Sequence, residues 1–268
     1  MYVPEIALSG FENERNMLEQ FRKGDPMGSC APEFHGVVEI DGKRYLKMRS
    51  LFEGFDSATL CQMDCKMGVR CFAESELQST KSRSDLFERL LKMDASEVTP
   101  EEHASHAITK ARWMDIRDHR SSTATLGFRV DGVVTPTRER HAFGDLASVR
   151  SDDEVADALR TFLPEKCSCR GGRKALVKQL LARLSELESS LHASPLFRDC
   201  EVIGSSILFA ADGNGKCGLW MLDFGVTGKS PTGPLKHNVP WTRGNHEDGY
   251  LTGLANMQRL WRKVLDEL

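Results

Sequence analysis

Asp64 and Lys66 stand two residues apart among Cys61, Met63, Cys65 and Met67, and Gly68 closes the run. An extended segment sorts these residues. Side chains alternate with period two, so the charged pair takes one face and the apolar set the other. A chain carrying this run must cover one side of the strand with core. It must also keep the other side open enough for two charges. Gly68 marks a point where backbone can approach a ligand closely. A solvated Asp–Lys pair on an exposed strand is the alternative, and the apolar surround argues against it.

A second short acidic motif, Leu222-Asp223-Phe224-Gly225, ends the apolar run that starts at Leu219. A carboxylate at the end of a buried strand is costly unless it is paired or binds a metal. An Asp that caps a turn with Gly225 explains the spacing equally well. Taken with Asp64 and Lys66, the motif points to phosphoryl transfer: a group to handle a hydroxyl, a cation for phosphate and a carboxylate for magnesium.

The length of 268 residues permits one large domain or two lobes with a sizeable core. A net charge of −3 argues against a general nucleic-acid binder, so a polyanion site must be a local cluster of Lys and Arg. No run approaches the roughly 18 apolar residues of a membrane span. Met1 to Glu5 lacks the layout of a signal peptide, and the chain reads as cytoplasmic. The eight cysteines do not fall at paired zinc-ligand spacing and read as reduced thiols.

Element signals predict an α+β fold. Residues 11–23 form a helix with Phe11, Met17, Leu18 and Phe21 on its apolar side. Two strands flank the Asp41-Gly42 turn, and Phe52 to Asp56 follows as a hinge. Residues 73–93 read as one helix with an irregular middle. Thr99-Pro100-Glu101-Glu102 is a capping box, opening a helix expected to reach about His119. Lys110 and Arg117, seven apart, fall within about 20° of one face of it. His103 and His106 lie on a neighbouring stripe, and Arg112, Arg120 and, more loosely, Arg83 are candidates to join them. Such a cationic face suits a polyphosphate, and a merely solvated face is the alternative. Ser151 and Glu154 form a second capping box. Leu176, Leu180, Leu184, Leu187 and Leu191 make an apolar stripe better suited to a core than to a dimer zipper. A hairpin turns at Asp212 to Gly215, and a last helix starts near Glu247, with Glu247 and Asp248 as caps.

At this point the motifs form a pattern. Asp64-Cys65-Lys66-Met67-Gly68 resembles the PxxxDxKxG signature of inositol polyphosphate kinases. Glu33 to Val38, Ser121 to Arg129, Gly204 to Phe209, Asp223-Phe224-Gly225 and Asn245 to Tyr250 resemble, in order, the inositol-trisphosphate 3-kinase branch. The resemblance implies a two-lobed kinase-like fold with antiparallel sheets and an inserted helical substrate-binding lobe. Residues 1–53 would form an incomplete N-lobe with hairpin and hinge. The C-lobe would take 54–72 and 119–268, with the insertion at 73–118.

The implied reaction is ATP-dependent phosphorylation of the 3-hydroxyl of inositol 1,4,5-trisphosphate, with Mg2+ as cofactor. Asp64 would contact the acceptor hydroxyl or the nucleotide ribose. Lys66 would bridge substrate and transferring phosphate. Asp223, with Ser206, would hold magnesium and so the nucleotide. Arg83, Lys110 and Arg117 would clasp substrate phosphates, and Arg49, Ser50 and Leu51 would touch adenine. Calmodulin is a family partner, expected to act through segments outside this chain. Three positions depart from the pattern. Leu60 takes the signature's Pro position, and Val226 stands where relatives carry Lys. Only Met1 to Gly10 precedes the first helix, where relatives carry further strands and a nucleotide-binding Lys. The last two departures leave a catalytically weak inositol-phosphate binder open beside the kinase. A broader inositol polyphosphate multikinase is the other alternative.

Overall fold

At the Asp41-Gly42 turn both residues take positive φ, 52° and 69°, which matches the twist of flanking strands. In the computed structural model, which describes residues 1–8, 10–137, 140–141 and 148–268, this turn builds the small lobe. It folds β2 (Phe34–Ile40) against β3 (Lys43–Met48), and β1 (Tyr2–Pro4) pairs with the other side of β3. No strand signal marks β1, because three residues are too few to show an alternation. Helix α1 (Phe11–Arg22) buries Phe11, Met17, Leu18 and Phe21, the predicted side.

The larger sheet has five strands. Its core strand is β4 (Cys61–Met67), whose Cys61, Met63, Cys65 and Met67 are all buried. The insertion that follows holds β5 (Ser82–Arg83), α2 (Ser84–Met93), α3 (Pro100–Ser105), β6 (Ile108–Thr109) and α4 (Lys110–Arg120). A short α5 (Thr123–Leu126) leads to β7 (Phe128–Val134) and β8 (Arg140–His141). Helices α6 (Asp152–Phe162), α7 (Gly172–Ala193) and α8 (Pro195–Asp199) precede β9 (Cys200–Glu201). The chain then runs through β10 (Ser206–Ala211), β11 (Cys217–Leu222), β12 (Gly228–Lys229) and α9 (Tyr250–Glu267). The sheet order is β11-β10-β4-β7-β8, antiparallel throughout, so the fold is α+β.

Helices α6, α7 and α9 cover the apolar face of this sheet. All five stripe leucines of α7 are buried in the same core as Met63, Cys65 and Trp261. Each such side chain contributes roughly 1.5–3 kcal/mol, and the stripe is spent on the core. Ser151 and Thr99 both form the predicted capping boxes. No helix among the described residues is long and apolar enough to cross a membrane.

Three expected elements differ. Residues 73–93 are not one helix: a 3-10 turn spans Glu74–Gln78, and α2 starts only at Ser84. The weakly helical stretch from Gln78 to Ser82 is what separates them. The helix opened by Thr99 stops at Ser105, where His106 turns to the left-handed region (φ 48°), and Thr109 caps a new helix by accepting from Arg112 N. Glu247 does not cap α9 and instead accepts from Lys236 N and His237 N. Asp248 accepts from Tyr250 N, the first amide of α9, at 2.9 Å, and it also accepts from Val202 N and pairs with His237.

The insertion has its own small core of Leu86, Phe87, Leu90, Ile108 and Ile116. Its root is fixed by Arg70, which is 1% exposed. Arg70 donates to Glu201 (2.7 Å) and to the carbonyls of Phe72, His246 and Glu247. Glu74, at the start of the insertion, accepts from Trp241 Nε1, Gly244 N and His246 N.

Candidate active site

The alternation of β4 places Asp64 and Lys66 together on the face away from the core, both partly buried. Register then assembles the rest. Ser206 of β10 lies opposite Lys66 on one side and opposite Leu222 of β11 on the other. Asp223, the next residue, is therefore delivered to the same end of three neighbouring strands. Lys66 Nζ donates to Asp223 Oδ2 at 2.5 Å and to Gly204 O at 3.1 Å. Asp223 holds a left-handed φ of 65°, a conformation that costs a non-glycine residue energy and collects at functional sites.

The electrostatics of the cluster are tightly set. Burial raises the pKa of Asp64, opposed by the Lys66 charge. Burial works against the Lys66 ammonium, yet the Asp223 and Asp64 charges outweigh it and hold the pKa above the ordinary value. Asp64 Oδ1 and Ser206 Oγ are buried, and apart from each other neither has a hydrogen-bond partner. With the half-exposed Asp223 carboxylate they form an oxygen donor set of the hard type that Mg2+ takes.

Glu14 is a residue that motif reasoning missed. It lies on α1, is only 6% exposed, and its Oε2 has no hydrogen-bond partner. Burial, with the Asp223 charge second, raises its pKa to about 7. Glu14, Lys66, Gly204, Asp223 and Val226 line a cavity of about 200 Å3. The neighbouring Asn13 fixes the helix to this segment by donating to the carbonyls of Phe224, Gly225 and Thr227. A helical residue facing the site from another lobe leaves no local pattern, although a Glu on the apolar side of α1 was the available signal. At Gly68 φ is 94°, and a Cβ there would lie 2.9 Å from Asp248 O, so this glycine serves close packing of backbone on backbone.

The predicted phosphate ligands fall in the insertion. The β5–β6 pair sets Arg83 opposite Ile108, two residues before Lys110, so these two cations are neighbours in the lobe. Arg83 is exposed and grips Asp85 with two 2.7 Å bonds, while Lys110 reaches Glu76 at 2.7 Å. Arg117, more buried, donates to Asp131 at 3.0 Å, and burial lowers its pKa. Asp131 is a second missed residue. A bulge after Asp64 leaves it between the β4 partners Gly132 and Val130, and it also accepts from Arg129 (2.9 Å). A bulge has no signature in the alternation. Arg112 and Arg120 do not join the cationic face: they bind Glu102 and Asp94 inside the lobe. His103 and His106 stand edge-on to Phe87. Arg49, Ser50 and Leu51 follow β3 between the lobes, with Arg49 paired to Glu33 and Glu53.

Comparison with known proteins follows the same lines. The family model for inositol polyphosphate kinase matches residues 45–262. The chain is 40% identical over 251 residues to inositol-trisphosphate 3-kinase A of Homo sapiens, covering 92% of this chain and 52% of that protein. It is 41% identical over 238 residues to the Rattus norvegicus protein of the same name, covering 87% and 50%. The chain thus spans about half the length of these curated relatives. Among solved structures, inositol phosphate multikinase Ipk2 of S. cerevisiae, in complex with ADP and Mn2+, superposes with a TM-score of 0.66 at 17% identity, over 99% of this chain and 98% of that one. This last likeness shows the two-lobed kinase-like fold.

Proposed function

The chain belongs to the inositol polyphosphate kinase family, and from that premise we propose that it transfers the γ-phosphoryl group of ATP to the 3-hydroxyl of inositol 1,4,5-trisphosphate. The observation that carries this reading is the convergence of Asp64, Lys66, Ser206 and Asp223 from three neighbouring strands. Asp223 and Ser206 would hold Mg2+, which when bound neutralises charge on the nucleotide phosphates. Lys66 would exchange its bond to Asp223 for the transferring phosphoryl oxygens, stabilising charge where it develops. Asp64, partly buried and raised in pKa, would orient the acceptor hydroxyl and receive its proton. Arg83, Lys110 and Arg117 would anchor the substrate phosphates, and residues 49–51 would contact the adenine.

A second reading, an inositol-phosphate binder with weak turnover, has one observation in its favour. Val226 is 38% exposed at the cavity beside Asp223, where the resemblance places a Lys. The test is to incubate the purified chain with Mg2+, ATP and inositol 1,4,5-trisphosphate and to identify the product by NMR. The 1,3,4,5-tetrakisphosphate is expected. Tight trisphosphate binding without product favours the binder. Comparable rates on higher inositol phosphates favour a multikinase.

A further inference from the structure

The loop ahead of α7 carries a pair of thiols that the reaction above does not use. The Cys167 and Cys169 sulfurs lie 3.0 Å apart, and both residues are only partly buried. Cys61, Cys65, Cys71, Cys200 and Cys217, by contrast, are buried. The loop is docked firmly: Ser168 donates to Gly213 O from both its amide (2.8 Å) and its hydroxyl (3.1 Å). Both sulfurs rest on Gly215, where a Cβ would come within 2.7 Å of Cys169 Sγ and 3.5 Å of Cys167 Sγ.

The turn beneath the thiols also holds the segment joining the lobes. Asp212 Oδ2 accepts from Asp56 N (3.0 Å), and Gly213 N donates to Thr59 Oγ1 (2.9 Å). Lys216 Nζ donates to Glu53 O at 2.7 Å. One hairpin turn therefore touches the dithiol on one side and residues 53–59 on the other.

We infer that Cys167 and Cys169 form a redox modification site, oxidised by low-molecular-mass disulfides of the glutathione class, and that the new bond loosens the turn's hold on the interlobe segment. One thiolate attacks a sulfur of the incoming disulfide, releasing one thiol and leaving a mixed disulfide. The second cysteine attacks that mixed disulfide, expels the other thiol and forms the Cys167–Cys169 bond. Two protein thiols are oxidised, one external disulfide is reduced, and the two released thiols carry the two protons. The sulfurs close from 3.0 Å to about 2.05 Å. Ser168 is the single residue inside the ring, so closure twists the residue that bonds Gly213.

The test uses the full chain equilibrated in glutathione buffers of rising oxidation, then alkylated and cut with trypsin. Cleavage after Lys166 and Arg170 isolates Cys167 to Arg170 as one peptide. That peptide is expected unalkylated and lighter by two hydrogens. In Cys167→Ser and in Cys169→Ser, the remaining cysteine is expected to keep a glutathione adduct. Oxidation should speed amide exchange across residues 53–59 by on the order of fivefold in the parent, and leave the double serine variant unchanged. Alkylation of both cysteines under oxidising buffer, or a stable adduct on the parent, overturns the site. Unchanged exchange overturns its link to the interlobe segment. None of these measurements involves nucleotide or inositol phosphate, so their failure is separate from failure of the kinase reading.

Discussion

At the scale of single residues, Asp223 and Glu14 are two carboxylates held at one cavity by different means. Asp223 is bonded by Lys66 and held in a left-handed backbone conformation. Asp223→Asn keeps the shape and removes the charge, so kcat should fall by on the order of 10³ while the trisphosphate still binds by calorimetry. Glu14 responds to pH. Its pKa rises from 4.5 to about 7 in the folded state, so the folded chain retains a proton that the unfolded chain releases. Stability from this group is therefore full below about pH 4.5 and is lost as pH climbs to about 7. At about 1.4 kcal/mol per unit, the loss is on the order of 3 kcal/mol. Glu14→Gln escapes it. In chelator-treated protein the variant should match the parent near pH 4.5 and melt progressively higher than it toward pH 8. A gap that does not change with pH would contradict the assignment.

At the scale of elements, the closest fit is between α9 and the turn before β7. A Cβ on Gly253 would lie 2.0 Å from Gly127 O, so the helix approaches that turn nearer than any side chain allows. Gly253→Ala should cost about 1–3 kcal/mol, read as a lowered melting temperature, with the far-UV circular dichroism unchanged. What the sequence disclosed follows from how local each signal is. The β4 alternation, the Asp41-Gly42 turn and both capping boxes depend on neighbours a few residues apart, and each stands in the structure. The motifs also single out Asp64, Lys66, Ser206 and Asp223, which the strand register brings together. The break at His106 was hidden, because Ala104 to Thr109 contains no Gly or Pro to mark it. Asp131 and Glu14 were hidden for another reason: a bulge and an interlobe contact place them, and neither is written in spacing.

At the scale of the molecule, Arg70 joins the end of β4 to the root of the insertion and to the loop before α9. Its ion pair with Glu201 is almost wholly buried, with side chains 2% and 13% exposed. Arg70→Met leaves Glu201 only its 2.7 Å contact with His246 and empties the donor positions of three carbonyls, which should cost about 3–5 kcal/mol of stability. Because the insertion carries the proposed phosphate anchors, the KM for inositol phosphate should rise further than the KM for ATP. An equal rise in both would point to general loosening instead. Lys66 and Asp223 are 157 residues apart in the chain, and their meeting waits on the pairing of β4 with β10. Local hairpins form first, and long-range pairings carry the greater loop-closure penalty. The candidate site thus depends on a pairing across most of the chain, and a nascent chain can own every one of its side chains while still lacking a place to use them.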